Sequence, residues 1–248
     1  MDINPGLDIA GLGRSFATRG RLVIANPLAP ADAERLHACL ASETPWGLAY
    51  HDETGPQQID PARLESLAAG DVVALHERIE RQAGQAFRYR YRCYPMVDAY
   101  LQRKDPHLML HAVFELLNSQ PMLDRIRAIT GLRQIVRADA QATLYAPGDF
   151  LTLHNDYDPH KGRLVAYVMS FAKNWRPDYG GLLQFLDADN NIEEGFLPRF
   201  NAMMIFTVPQ NHAVSYVPPF APLGRYSITG WFQDATAVPA DTKARYGL

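Results

Sequence analysis

Cysteine is scarce in this chain. Cys39 and Cys93 are its only two in 248 residues, far apart and outside any CxxC spacing, so neither a disulfide framework nor a cysteine-bound zinc is indicated. No strong charge of one sign is present either: a formal net charge of -3 argues against a chain built to hold nucleic acid or an anionic membrane. No uninterrupted apolar run approaches the ~20 residues that a bilayer span needs. The start, MDINPGLDIAGLGRS, lacks the basic and apolar segments of a secretory signal. A cytoplasmic protein without a membrane partner is the expectation. With 47% hydrophobic and 21% charged residues the composition is that of an ordinary globular protein. There is no repeat, low-complexity tract or linker, and the length suits a single domain.

Up to about residue 132 the signals are mostly helical. RLVIAN (21–26) reads as a strand, and Ala33, Leu36 and Leu40 follow at helical spacing. Asp60 before Pro61 predicts an N-cap with proline at the first helical position. Gly70-Asp71 reads as a boundary between two helices, and Gly84 closes the second. Asp105-Pro106 repeats the start signal ahead of Leu110, Val113, Phe114 and Leu117, which puts His107 and His111 four apart on a helix surface. Pro121 to Gly131 adds a short helix. GLGRSF (11–16) follows no strand and reads as a flexible lead-in rather than a phosphate loop.

FRYRYRCY (87–94) stands out. Phe87, Tyr89 and Tyr91 alternate with Arg88, Arg90 and Arg92, the period of a strand with one aromatic and one cationic face. An edge strand with solvated arginines is the expectation. The functional alternative is a cationic surface for a carboxylate or an acidic partner.

Beyond 132 short apolar or alternating runs take over: IVRADAQATLY, DFLTLH, RLVAYVMSF, GLLQFL, AMMIFTV, HAVSYV and RYSITGWF. Turn residues such as Pro147-Gly148 and Gly180-Gly181 separate them. Such a series suggests a sandwich or jelly roll. The expected class is therefore α+β, with a helix-rich part over about 1–132, a β core over about 133–235 and a tail over 236–248.

Within the β-rich half, LTLHNDYDPHKGR (151–163) places His154 and Asp156 two residues apart before an apolar strand. On a strand over 150–156 they share one side, with Cα atoms roughly 6.6 Å apart. Two such side chains can converge on one metal. His212, at the start of HAVSYV, fits as the third donor. Two histidines and one carboxylate occupy one face of an octahedral ion and leave three positions open, the arrangement of non-haem Fe(II) oxygenases. Arg225, in the apolar strand RYSITGWF, needs an anionic partner. A dicarboxylate cosubstrate would supply one, and Ser227 on the same strand face adds a hydroxyl.

From Tyr145 to Phe232 the sequence resembles the iron- and 2-oxoglutarate-dependent dioxygenases of the prolyl hydroxylase-like branch. The matching pieces are YAPGDFLTLHND, Arg163, the spacing of Trp175 to Gly180-Gly181, FNAMMIFTV, His212-Ala213-Val214 and RYSITGWF. Weaker similarity reaches back to LVIANPLAPADAERL. The resemblance implies a double-stranded β-helix, or jelly roll, supported by N-terminal helices. It implies Fe2+ on His154, Asp156 and His212, and the far carboxylate of 2-oxoglutarate on Arg225. It also implies O2 as the second cosubstrate, with ascorbate as an optional reductant. Tyr145 matches a tyrosine beside metal and cosubstrate. Relatives place another tyrosine where this chain has Ser170, so Ser170, Tyr145 or Ser227 is expected to supply that hydroxyl.

The activity implied is hydroxylation of an unactivated C–H bond, of a prolyl residue in a protein or peptide or of a free proline-like amino acid. Tyr100, Tyr157 and Trp175 are candidates for the pocket wall. The alternatives are a zinc hydrolase using the same three ligands and a non-catalytic jelly-roll binding or sensing protein. Nucleic-acid demethylation ranks last, since only the Arg88–Arg92 ladder offers a basic surface.

Overall fold

The computed structural model describes residue 1 and residues 3–236; the expected tail lies almost wholly outside the described residues. Its elements run α1 (Ile9–Arg19), β1 (Arg21–Ala25), α2 (Pro30–Ser42), β2 (Gly47–Asp52), β3 (Gly55–Ile59), α3 (Pro61–Ser66), α4 (Ala69–Ala83) and β4 (Tyr89–Tyr94). There follow α5 (Met96–Gln102), α6 (Leu110–Leu117), α7 (Gln120–Thr130), β5 (Arg137–Ala138), β6 (Gln141–Tyr145), β7 (Phe150–His154) and β8 (Arg163–Ser170). The rest are β9 (Leu183–Leu186), β10 (Ile192–Phe196), β11 (Ala202–Thr207), β12 (His212–Val214) and β13 (Arg225–Gln233).

Local chemistry explains most boundaries. The Asp60 side chain accepts from Arg63 N ahead of Pro61, and Ser119 caps α7, which Gly131 ends in the left-handed conformation. Three expectations are corrected. Asp105 does not start a helix: it stands at φ 48° and accepts from the Tyr94 hydroxyl, and α6 begins at Leu110, so His107 lies ahead of it. Gly70 sits inside the first turn of α4 rather than between helices. GLGRSF is helical, because Asp8 caps α1 through Gly11 N and Phe16 is buried.

One antiparallel sheet curls through the order β1-β11-β8-β13-β6-β4-β7-β12-β9-β10, with β2, β3 and β5 paired off this path. This is the expected jelly-roll core. Strand alternation sends its side chains into two packed regions. On β8, Val165, Tyr167 and Met169 join Leu36, Val113, Phe114 and Ile126 of the helices on one face. Ala166 turns the other way, into a cluster with Tyr145, Leu183, Phe185 and Phe206 inside the curl. Each fully buried Leu, Ile or Phe contributes about 1.5–3 kcal/mol, so both faces of the central strands hold the fold.

β4 is not the expected edge strand. It pairs with β2 on one side and with β6 and β7 on the other. Arg90 is not solvated: it is 2% exposed, with Nε 3.0 Å from Asp149 Oδ1 and Nη2 3.3 Å from Glu80 Oε1, while Arg92 is half-buried. Asp149, buried beside Arg90, and Glu80 at the surface make the burial of that cation possible.

Candidate active site

His154 and His212 are Cα partners across β7 and β12, so their side chains share a face, with ring centroids 4.0 Å apart. Asp156 arrives by a different route from the one expected. β7 ends at His154, and Asp156 stands beyond it in the left-handed region at φ 63°. A short polar side chain tolerates that region better than most. The turn, rather than strand alternation, swings the carboxylate back between the imidazoles. Its Oδ1 lies 3.4 Å from His154 Nε2 and its Oδ2 3.4 Å from His212 Nε2. The three candidate ligand atoms all lie within 4.8 Å of one another.

Each imidazole is anchored through its other nitrogen. His154 Nδ1 is 3.0 Å from Thr152 O, and His212 Nδ1 is 2.8 Å from Gln210 O. A carbonyl only accepts, so the proton belongs on Nδ1 and the bare lone pair on Nε2. Burial, with His154 beside it, pushes the His212 pKa down to about 4 and leaves the ring neutral. Burial works upward on Asp156, but the two imidazoles and the Trp231 indole outweigh it and hold the carboxyl below the usual range. Two lone pairs and a carboxylate therefore face one another at distances long for hydrogen bonds. Such a set of acceptors fits a divalent cation of the Fe2+ kind. Arg163 fixes the turn: it donates to Asp156 O at 3.3 Å, and its guanidinium stacks 3.5 Å over the Trp231 ring.

Arg225 opens β13 as the Cα partner of Tyr145 on β6. It is 3% exposed, and burial brings its pKa down to about 10, so it remains charged at neutral pH. Its Nε donates to Gly181 O at 2.6 Å and its Nη1 to Ser227 Oγ at 3.4 Å. Among the described residues no carboxylate pairs with it; Tyr145 is the neighbour that favours its charge. Gly181 makes room for it. At φ 63°, a Cβ there would come within 2.6 Å of Arg225 Cδ. The preceding turn is held by Trp175 Nε1, which donates to Gly180 O at 2.9 Å.

These groups open onto one cavity of about 740 Å³, lined by His154, Asp156, His212, Arg225, Tyr145 and the aromatic face of β4. Tyr91 stacks on Tyr145 at 5.1 Å and on Tyr89 at 5.4 Å. The cationic face of the ladder, the functional alternative to a solvated edge strand, carries the Arg90 ion pairs and stays out of the cavity, which the aromatic face lines instead. Of the candidate wall residues, Tyr157 lines the mouth, while Trp175 packs in the interior cluster and Tyr100 against Phe114. His51, unassigned from sequence, lies at the rim against Phe87 and Tyr89. Ser170 and Ser227 border a smaller space of about 30 Å³ on the other side of Arg225.

A family model described as the 2OG-Fe(II) oxygenase superfamily matches residues 140–233, the stretch that supplies His154, Asp156, His212 and Arg225. The matched stretch, well under half of the chain, is similar to the iron- and 2-oxoglutarate-dependent dioxygenases, enzymes that use Fe2+, 2-oxoglutarate and O2. Particular relatives are more distant. Prolyl 3-hydroxylase OGFOD1 of Mus musculus is 26% identical over 137 residues, which cover 52% of this chain and 24% of that protein. The chain thus spans about a quarter of the length of the curated relative it matches. A Pseudomonas putida prolyl-4-hydroxylase has the same fold, with a TM-score of 0.57 and 20% identity over 95% of this chain and 96% of that one. A Trichoplax adhaerens prolyl hydroxylase, solved with a hypoxia inducible factor peptide fragment, gives a TM-score of 0.61 and 16% identity over 91% and 89%. Among the described residues no helix is long and apolar enough to cross a membrane.

Proposed function

We propose that this chain is a hydroxylase in which His154, Asp156 and His212 hold Fe2+ and Arg225 holds the far carboxylate of 2-oxoglutarate, the substrate being a prolyl residue of a protein or peptide or a free proline-like amino acid. One observation carries the reading: a cluster of three metal-type donors and a buried guanidinium without a carboxylate partner open onto the same cavity. A zinc hydrolase would use the first feature and leave the second without a purpose.

When bound, Fe2+ supplies the redox chemistry that couples oxidative decarboxylation of 2-oxoglutarate, to succinate and CO2, with insertion of one oxygen atom into a C–H bond. The protein's own groups position and exclude. The Nδ1 anchors fix both imidazole planes and keep Nε2 deprotonated for the metal. Arg225 orients the cosubstrate from its far end, and a charge-assisted bond there contributes about 1.5–3 kcal/mol. The Tyr89, Tyr91 and Tyr145 stack makes one wall apolar and keeps water from the reacting carbon. At about 740 Å³ the cavity has room for a substrate group beside a five-carbon diacid. The relatives named above are prolyl hydroxylases, which makes proline the first ring to test.

The test is succinate formation by protein reconstituted with Fe2+ without oxygen and then exposed to O2 and 2-oxoglutarate. Proline-containing peptides and free proline are compared, and hydroxylated product is identified by mass. Stimulated turnover with a mass gain of one oxygen supports the reading. Absence of 2-oxoglutarate turnover with every substrate and a full complement of iron contradicts it.

A further inference from the structure

Arg225 does not face the cavity alone. Ser227 is the Cα partner of Thr143 on β6 and of Ser170 on β8, so three hydroxyls form a row across three strands. Arg225 lies two residues along β13 on the same face. All four side chains are buried. Ser227 Oγ sits 3.4 Å from Arg225 Nη1 and 2.8 Å from Thr143 Oγ1. A guanidinium only donates, so Ser227 Oγ accepts from it, and one proton lies between Ser227 Oγ and Thr143 Oγ1, either oxygen being able to donate it. When Ser227 donates it, the Thr143 proton is left over. Besides Ser227 Oγ its acceptor is Ser227 O at 3.4 Å, a long bond. The two ends of the row differ in what they border. Thr143 lines the large cavity beside Arg225, whereas Ser170 borders the small space behind it, with Ala172 N as its donor at 3.5 Å.

We infer that Thr143 is a cosubstrate-binding residue, donating a second hydrogen bond to the carboxylate that Arg225 grips, with Ser227 as the positioning residue between them. This deepens the proposed function and rests on its reading of Arg225. It also assigns the hydroxyl that the resemblance left open among Ser170, Tyr145 and Ser227: the group sits one strand over, on a residue with no motif to mark it. Because the chain begins at a cation, each hydroxyl in it is polarised toward donation.

Calorimetric titration of 2-oxoglutarate into Mn2+-loaded protein without O2 reads this directly, free of turnover. Thr143→Val keeps the shape and removes the donor; affinity is expected to fall roughly tenfold, as for loss of a hydrogen bond to a charged group. Thr143→Ser should restore most of it. With 2-oxobutyrate, which lacks the second carboxylate, wild type and Thr143→Val should bind alike. Thermal unfolding establishes that each variant is folded, and Thr143→Ala replaces the valine variant if that one is not. Unchanged 2-oxoglutarate affinity in Thr143→Val overturns the inference. So does equal weakening in Thr143→Ser or with 2-oxobutyrate, which would mark a packing role, or the loss appearing in Ser170→Ala instead. Arg225→Ala separates the two levels: if it too binds 2-oxoglutarate like wild type, the reading of the site itself has failed.

Discussion

Arg225 and Tyr145 face each other across β13 and β6, with the guanidinium carbon 4.3 Å above the tyrosine ring. A desolvated cation held by a ring face is stabilised by about 2 kcal/mol. It is not neutralised, and its charge stays available to an incoming anion. Arg225→Ala is therefore expected to raise the KM for 2-oxoglutarate tenfold or more, with a smaller effect on kcat. Steady-state succinate formation measures both, and an unchanged KM would remove Arg225 from the cosubstrate site.

Gly181→Ala should do the same from a distance. The added Cβ would lie 2.6 Å from Arg225 Cδ and 2.8 Å from its Nε, on a backbone at φ 63°. The left-handed conformation alone costs a residue with a Cβ about 1 kcal/mol, and the clash displaces the guanidinium. Calorimetry should show weaker 2-oxoglutarate binding with Mn2+ affinity retained. Wild-type binding would mean that Arg225 has room the packing does not indicate.

Arg90→Leu addresses stability. It strips Asp149, a carboxyl 4% exposed, of its 3.0 Å partner and leaves Gly148 O without its donor. Breaking a buried pair by removing one member costs about 3–5 kcal/mol. Burial has already pushed the Asp149 pKa up to about 6, so the orphaned carboxyl takes up a proton and relieves part of that cost. Chemical denaturation should still show a loss of about 3 kcal/mol, and a loss below 1 kcal/mol would contradict the account of β4.

The ladder containing Arg90 marks where the sequence was legible and where it was not. Alternation identified a two-faced strand over 87–94, but alternation cannot say which neighbours a strand has. With β2 on one side and β6 and β7 on the other, both edges of β4 are paired, and Arg90 is buried rather than solvated. The ends of β6 and β7 carried their own signals, since His154, His212, Tyr145 and Arg225 sit at strand boundaries marked by turn residues. The convergence of the histidines and Asp156 was foreseen, but through the wrong geometry: no periodicity shows that the chain leaves β7 and turns left-handed at Asp156. The β2–β3 hairpin and β10 were missed. β3 and β10 pair at the margins of the sheet and show half-exposed patterns with little apolar alternation, while β2 is mostly buried but does not alternate. Thr143 was invisible, because a threonine in an apolar strand is unremarkable until its register neighbours are known.

His76 predicts a pH effect on the fold. Burial, with Arg90 and Arg92 nearby, lowers its pKa to about 4, and its Nε2 has no hydrogen-bond partner among the described residues. The unfolded chain takes up this proton near pH 6.5 and the folded chain only near 4. Its contribution to stability is thus full above about 6.5 and lost as pH falls through that window. Unfolding midpoints of wild type and His76→Gln should draw together between pH 7.5 and 5, the variant losing less. Parallel losses would show that His76 titrates normally.

Most direct is the binding of Mn2+, a redox-silent stand-in for Fe2+, to the wild-type chain and to His154→Ala, Asp156→Ala and His212→Ala, by calorimetry without O2. The account predicts one ion per wild-type chain and a loss of at least a hundredfold in affinity in every variant, with folded structure retained. One ion per chain held equally well after any of the three substitutions would contradict it.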